Sequence, residues 1–180
     1  MKDRPQALFL DRDGTLIEFV DYLCDPAQVV LMEGVADALR AIKGWGCKLF
    51  LHTNQSGVGR GFFTLDDVNA VNQEMVRLIG LGSGVFDGIC IATDHSEEVG
   101  NPTYRKPSPK FENEMVELYS LEREYCYVVG DSVSDAETGR MAGMQMVGVR
   151  NSKREPVAFA SDVSVFSSFS EFFHALLLVR

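Results

Sequence analysis

"ALFLDRDGTLIE", residues 7 to 18, sets four apolar residues against two aspartates, Asp11 and Asp13, followed by Gly14 and Thr15. A short apolar run bounded by a polar, glycine-containing cluster reads as a buried strand that ends in a turn. Two carboxylates two residues apart at the mouth of a core strand repel each other unless a cation or an acid role separates them. The stretch therefore predicts a strand whose carboxyl end carries chemistry.

The pattern repeats along the chain. Further apolar runs fall at "KLFLHT" (48 to 53), "FDGICIA" (86 to 92), "YCYVVG" (125 to 130) and "MQMVGV" (144 to 149), with a last short strand at "VSVF" (163 to 166). Between them, residues 35–46, 64–80, 108–121 and 134–143 place apolar side chains at three and four spacing, as helices do, and 168–179 closes the chain as a further helix. Thr64 with Asp67 resembles a capping box, Ser108 with Pro109 an N-cap followed by proline, and Gly80 and Gly143 suit helix ends. Strands alternating with helices predict a mostly parallel sheet covered on both faces, with ligands beyond the carboxyl ends of the strands. Asp11, Thr53 and Asp131 each end a predicted strand and should converge on one edge.

At 180 residues the chain suits one domain, 1–180, and neither repeats nor linkers divide it. Its 46% hydrophobic and 24% charged residues are ordinary globular values, and no apolar run has the roughly 18 residues of a membrane span. The start lacks a signal-peptide core, so a cytoplasmic protein without membrane contact is expected. A net charge of −9 argues against a nucleic-acid partner, while a small anion could still bind locally. Cys24, Cys47, Cys90 and Cys126 are scattered without metal-ligand spacing and read as free thiols, mostly buried.

"DRDGT" after the first strand, "TNQSG" after the second, "RKP" before a later helix and "GDSVSD" after the fourth resemble, in this order, the four motifs of the haloacid dehalogenase (HAD) superfamily of phosphohydrolases. The resemblance spans residues 6 to 150 and implies a three-layer α/β/α Rossmann-like fold without a large cap domain. It implies a phosphatase whose Asp11 is the nucleophile that forms an aspartyl phosphate, with Asp13 as the acid that protonates the leaving oxygen and later deprotonates water. Mg²⁺ is then held by the Asp11 carboxylate, the Asp13 backbone carbonyl and Asp131, hard oxygen donors that suit this ion. Asp135 either orients the metal shell or caps the helix that begins there. Thr53 would bond a phosphoryl oxygen and Lys106 would balance the charge of the transition state across a phosphate-sized gap. Asn54 and Arg105 would contact substrate, and Arg60 is either a further contact or a solvated loop arginine.

"DRDGT", "HTNQSGVGRGFFT" and "RKPSP" look closest to the subgroup of D-glycero-D-manno-heptose-1,7-bisphosphate 7-phosphatase and histidinol phosphatase. That likeness implies a small sugar bisphosphate as substrate, next a histidinol-phosphate-like ester, with loops 17 to 30, 56 to 63 and 93 to 104 setting specificity, and a monomer or weak homodimer. A polynucleotide 3′-phosphatase also resembles "TNQSG", but there is no cluster of basic residues with interleaved aromatics to support it. A noncatalytic binding protein of the same fold is the reading from outside the enzymes. Two departures from the subgroup stand out. The stretch "ATDHSEEVGNPTYRKP" keeps His95 but none of the cysteines with which many members hold a structural zinc, so no zinc is expected and Tyr104 and Pro102 are expected to hold the loop. Ser132 stands where the heptose enzymes place a lysine.

Overall fold

Alternation of side chains along β1 (Ala7–Leu10) explains how the layers are built. Leu8 and Leu10 point into an apolar cluster formed with Leu49 and Leu51 of β2 (Lys48–Asn54), Val35 and Leu39 of α1 (Val35–Gly44), Val71 and Met75 of α3 (Leu65–Ile79), and Phe169 and Phe172 of α6 (Phe169–Leu178). Ala7 and Phe9 point the other way. They meet Phe50, then Phe111 and Val116 of α4 (Lys110–Tyr119), and Ala142 of α5 (Val133–Ala142). A strand apolar on both faces needs helices on both faces, and the result is the expected three-layer α/β/α arrangement. The structure, a computed structural model, describes residues 4–94, 103–150 and 157–178.

The sheet is completed by β3 (Gly88–Ala92), β4 (Cys126–Gly130), β5 (Gln145–Val149) and β6 (Ser164–Phe166), in the order β3-β2-β1-β4-β5-β6. Every pairing is parallel, so the mostly parallel sheet of the sequence reading is wholly parallel among the described strands. The chain leaves β1 for β2 and β3 on one side and returns to β4 on the other. That reversal opens a crevice at the carboxyl ends of β1, β2 and β4. Between β1 and α1 the chain makes a tight loop and a single helical turn at Pro26–Gln28, and among the described residues no cap domain rises over this edge.

Most boundaries shift by a residue or two from the sequence reading, and two of the shifts have a clear cause. β3 begins at Gly88 rather than at residue 86, because the Asp87 carboxylate accepts bonds from Lys43 Nζ, Lys48 Nζ and the Leu49 amide and so turns the chain before the strand. Helix α4 begins at Lys110, and Pro109 rather than Ser108 holds the cap position. Ser108 is drawn into a turn instead, its amide donating to Arg105 O at 2.9 Å. The Thr64–Asp67 capping box forms as expected, and α2 (Ser56–Gly59) adds one unforeseen turn after β2. His95 and Pro102 lie outside the described residues.

Candidate active site

Four segments far apart in sequence bring their polar residues to the crevice. Asp11 follows β1 directly, and its amide extends the ladder to Val129 O at 2.9 Å. Asp131 follows β4 and Asp135 lies in the first turn of α5. One carboxylate oxygen from each of Asp11, Asp131 and Asp135 lies within 4.8 Å of the others, the one such metal-sized acidic group among the described residues. Gly130 permits this approach, since a Cβ there would lie 2.2 Å from Asp135 Cγ.

Lys106 reaches the same point from the loop before α4. Its ammonium donates to Asp11 Oδ1 at 2.7 Å, Asp135 Oδ1 at 2.5 Å and the His52 carbonyl at 2.8 Å. The sequence reading put this charge across a gap from the acids. It touches them instead, because an ammonium buried to 5% exposure must find acceptors for its three protons. Burial alone would lower the Lys106 pKa, but the Asp11 and Asp135 carboxylates overcome it and hold the pKa above its usual range.

Asp13 lines the same crevice but has partners of its own. Arg12, fully buried beneath it, donates Nε to Asp13 Oδ2 at 3.0 Å and Nη2 to Oδ1 at 3.2 Å, and is itself held by Asn72 Oδ1 on α3 at 2.9 Å. Gln55 Nε2 donates both to Asp13 Oδ2 and to Thr53 Oγ1, at 2.9 and 2.8 Å. Thr53 Oγ1 thereby accepts one bond and keeps its own proton to give. Sequence reasoning missed Arg12 and the Gln55 side chain. Their positions inside "DRD" and "TNQ" were visible, but nothing in the sequence names a buried partner 40 to 60 residues away.

The geometry places the three expected substrate contacts differently, and Asn54 lines the crevice while also bonding the loop. The Asn54 amide is engaged with the Lys106 backbone, accepting from Lys106 N at 2.9 Å and donating to Lys106 O at 3.1 Å. Arg60 follows the turn of α2, is exposed and does not line the crevice. Arg105 does line it, with Nη1 donating to Asp94 O at 3.1 Å. Asp135 acts as a cap. Its backbone amide and carboxylate exchange bonds with Ser132 in a second capping box, while its other oxygen serves Lys106. The Ser132 side chain is used in that cap.

The cavity over these groups measures about 320 Å³, within the range of small-molecule sites. Its floor is Asp11, Asp13, Lys106 and Asp131, and its outer wall is Phe19, Tyr22, Leu23 and Phe63 from loops the sequence reading assigned to specificity. Burial pushes the Asp11 pKa up to about 8; Lys106 opposes the shift, while Asp135, Asp131 and Asp13 add to it. With Asp13 paired to Arg12, the three carboxylates Asp11, Asp131 and Asp135 around one ammonium leave the site short of positive charge. Clustered hard oxygen donors with a charge deficit fit a divalent ion such as Mg²⁺. Cys90, the cysteine nearest the loop that lacks zinc ligands, lies buried within β3.

A family model described as HAD-hydrolase-like matches residues 103–171. The D-glycero-beta-D-manno-heptose-1,7-bisphosphate 7-phosphatase of Haemophilus influenzae is 34% identical over 153 residues, 82% of this chain and 83% of that protein. The enzyme of the same name from Mesorhizobium japonicum is 34% identical over 144 residues, 77% of this chain and 66% of its own. Among solved structures, the D,D-heptose 1,7-bisphosphate phosphatase of B. bronchiseptica, complexed with magnesium and phosphate, superposes with a TM-score of 0.83 at 24% identity. The match covers 96% of this chain and 98% of that one, a likeness of fold.

Proposed function

The chain belongs to the HAD-like hydrolases, in the group of the heptose-1,7-bisphosphate 7-phosphatases, and on that premise we propose a Mg²⁺-dependent phosphomonoesterase acting on a small sugar bisphosphate. D-glycero-D-manno-heptose 1,7-bisphosphate, cleaved at the 7-phosphate, is the substrate the relatives favour. The observation that carries the reading is the meeting of Asp11, Asp131 and Asp135 with the Lys106 ammonium at the ends of three strands.

An Asp11 oxygen attacks phosphorus in line while the ester P–O bond breaks, and Asp13 gives its proton to the departing alkoxide. Asp13, now a carboxylate, takes a proton from water. That water's oxygen attacks the aspartyl phosphate, the bond to Asp11 breaks, and phosphate leaves with both acids restored. Arg12 and Gln55 bond Asp13 and aim it at the leaving oxygen. Thr53 donates to a phosphoryl oxygen and Lys106 stays beside Asp11, where negative charge accumulates. Asp11, Asp131 and the Asp13 carbonyl would hold the Mg²⁺, with Asp135 behind them; when bound, it supplies the missing positive charge and draws phosphate and nucleophile together.

Hydrolysis of the heptose bisphosphate to one equivalent of phosphate, lost with EDTA and lost in Asp11→Asn, tests the reading. Assays of histidinol phosphate and of a 3′-phosphorylated oligonucleotide run beside it. Activity surviving in Asp11→Asn, or a preference for either alternative ester, overturns it.

A further inference from the structure

We infer that Asn54 and the buried His52–Glu112 pair are positioning residues that set the reach of Lys106, an inference that rests on the proposed role of that lysine.

His52 and Asn54 lie two apart on β2 and face the same side of the sheet as Phe50, toward α4. The segment 104–106 crosses above them and is gripped at four points. The Asn54 amide binds both the N–H and the C=O of Lys106, so a single side chain replaces the neighbouring strand that the segment lacks. His52 Nε2 bonds Tyr104 O at 2.7 Å, and the His52 carbonyl accepts from Lys106 Nζ.

The ring of His52 is itself fixed. Nδ1 lies 2.7 Å from Glu112 Oε1, and Phe111 packs edge-on at 5.3 Å. Both ring nitrogens lie within hydrogen-bond reach of an oxygen, one of a carboxylate and one of a backbone carbonyl, so the ring is held at both ends. Glu112 is fully buried, and among the described residues its Oε2 has no hydrogen-bond partner. A buried acid with one oxygen unsatisfied is costly, and the bond it does make is to the His52 ring. Here it fixes the ring that fixes the chain two residues before Lys106. The Tyr104 side chain secures the same segment from outside, through Glu114 at 2.9 Å and the Lys110 ammonium 4.2 Å over its ring.

A four-carbon side chain places its charge only as well as its backbone is placed. Loosening the segment should therefore cost transition-state stabilisation while leaving the cavity walls intact. Asn54→Ala, Asn54→Asp and Glu112→Gln are to be compared with wild type by two readouts. The first needs no turnover: a short pulse of an amine-acylating reagent, with the modification of Lys106 measured by mass spectrometry. Lys106 should be protected in wild type and labelled severalfold faster in the variants, at a temperature where the melting curve of each variant shows it fully folded.

The second is a double-mutant cycle on the Mg²⁺-dependent phosphatase activity. Asn54→Ala should lower kcat roughly 10- to 100-fold in wild type and change it less than about twofold when Lys106 is already alanine. Equal labelling of Lys106 in variants and wild type overturns the inference. So does a rise in KM of the same size in both backgrounds, which is the mark of a direct substrate contact. Absence of any wild-type turnover would sink the phosphatase reading alone, since the labelling decides the positioning role by itself.

Discussion

Asp11 has an ammonium at 2.7 Å and still has its pKa pushed up to about 8, because burial and three neighbouring acids outweigh one cation. Without a divalent ion the folded state therefore holds a proton there that the unfolded chain, with an ordinary carboxylate near 3.8, has lost. The folded state binds more protons across that interval, so stability in EDTA should fall as pH rises from about 4 through 8. A divalent ion bound at neutral pH must displace the proton. Calorimetry of Mg²⁺ binding at pH 7 in buffers of different ionisation enthalpy should show release of up to about one proton, shrinking toward zero near pH 9.5 and absent in Asp11→Asn. Proton uptake, or release independent of pH, would contradict this charge balance. The sequence made the acids and Lys106 legible because each ends a strand or opens a motif. It could not show that Asn54 spends its amide on Lys106, or that Arg12 is buried beneath Asp13, since a donor's identity says nothing about which acceptor the fold brings to it.

The two capping boxes, Thr64–Asp67 on α3 and Ser132–Asp135 on α5, have the same local chemistry and different surroundings. The first is exposed at the surface. Thr64→Ala should cost about 1 kcal/mol of stability, read from denaturant unfolding, and leave kcat unchanged. The second shares Asp135 with Lys106, so Ser132→Ala frees the carboxylate that steadies the ammonium. It should cost a similar amount of stability and lower kcat as well. Gly130→Ala is the harsher test of this element, since the new methyl must displace Asp135; overpacking of this kind costs about 1–3 kcal/mol. A Gly130→Ala protein with wild-type kcat would show that the position of Asp135 does not matter to turnover. The Thr64–Asp67 box was legible because such a cap is written within four residues, whereas for the second box only a capping role for Asp135 was. The start of β3 and of α4 was not, because Asp87 is held by Lys43 and Lys48 and the segment 104–108 by β2, contacts 39 to 54 residues distant.

The whole molecule decides what can reach this chemistry. A parallel sheet that reverses its strand order beside β1 places the catalytic edge at an open crevice, and no cap domain among the described residues closes it. Selection then falls to the cavity walls and the net field. The walls suit a small ester: about 320 Å³ bounded by Phe19, Tyr22 and Phe63, with Arg105 as the cation at the rim. The field opposes a long polyanion. A net charge of −9 offers no basic track for successive phosphates, and nucleic-acid affinity depends on such neutralisation. A 3′-phosphorylated oligonucleotide should accordingly be hydrolysed with kcat/KM roughly tenfold or more below that of a sugar bisphosphate. The gap should narrow as salt is raised, because screening relieves repulsion of the highly charged strand more than that of a small ester. Comparable kcat/KM values at low salt, or oligonucleotide turnover that weakens as salt rises, would point to a basic docking path and against selection by this small, open cavity.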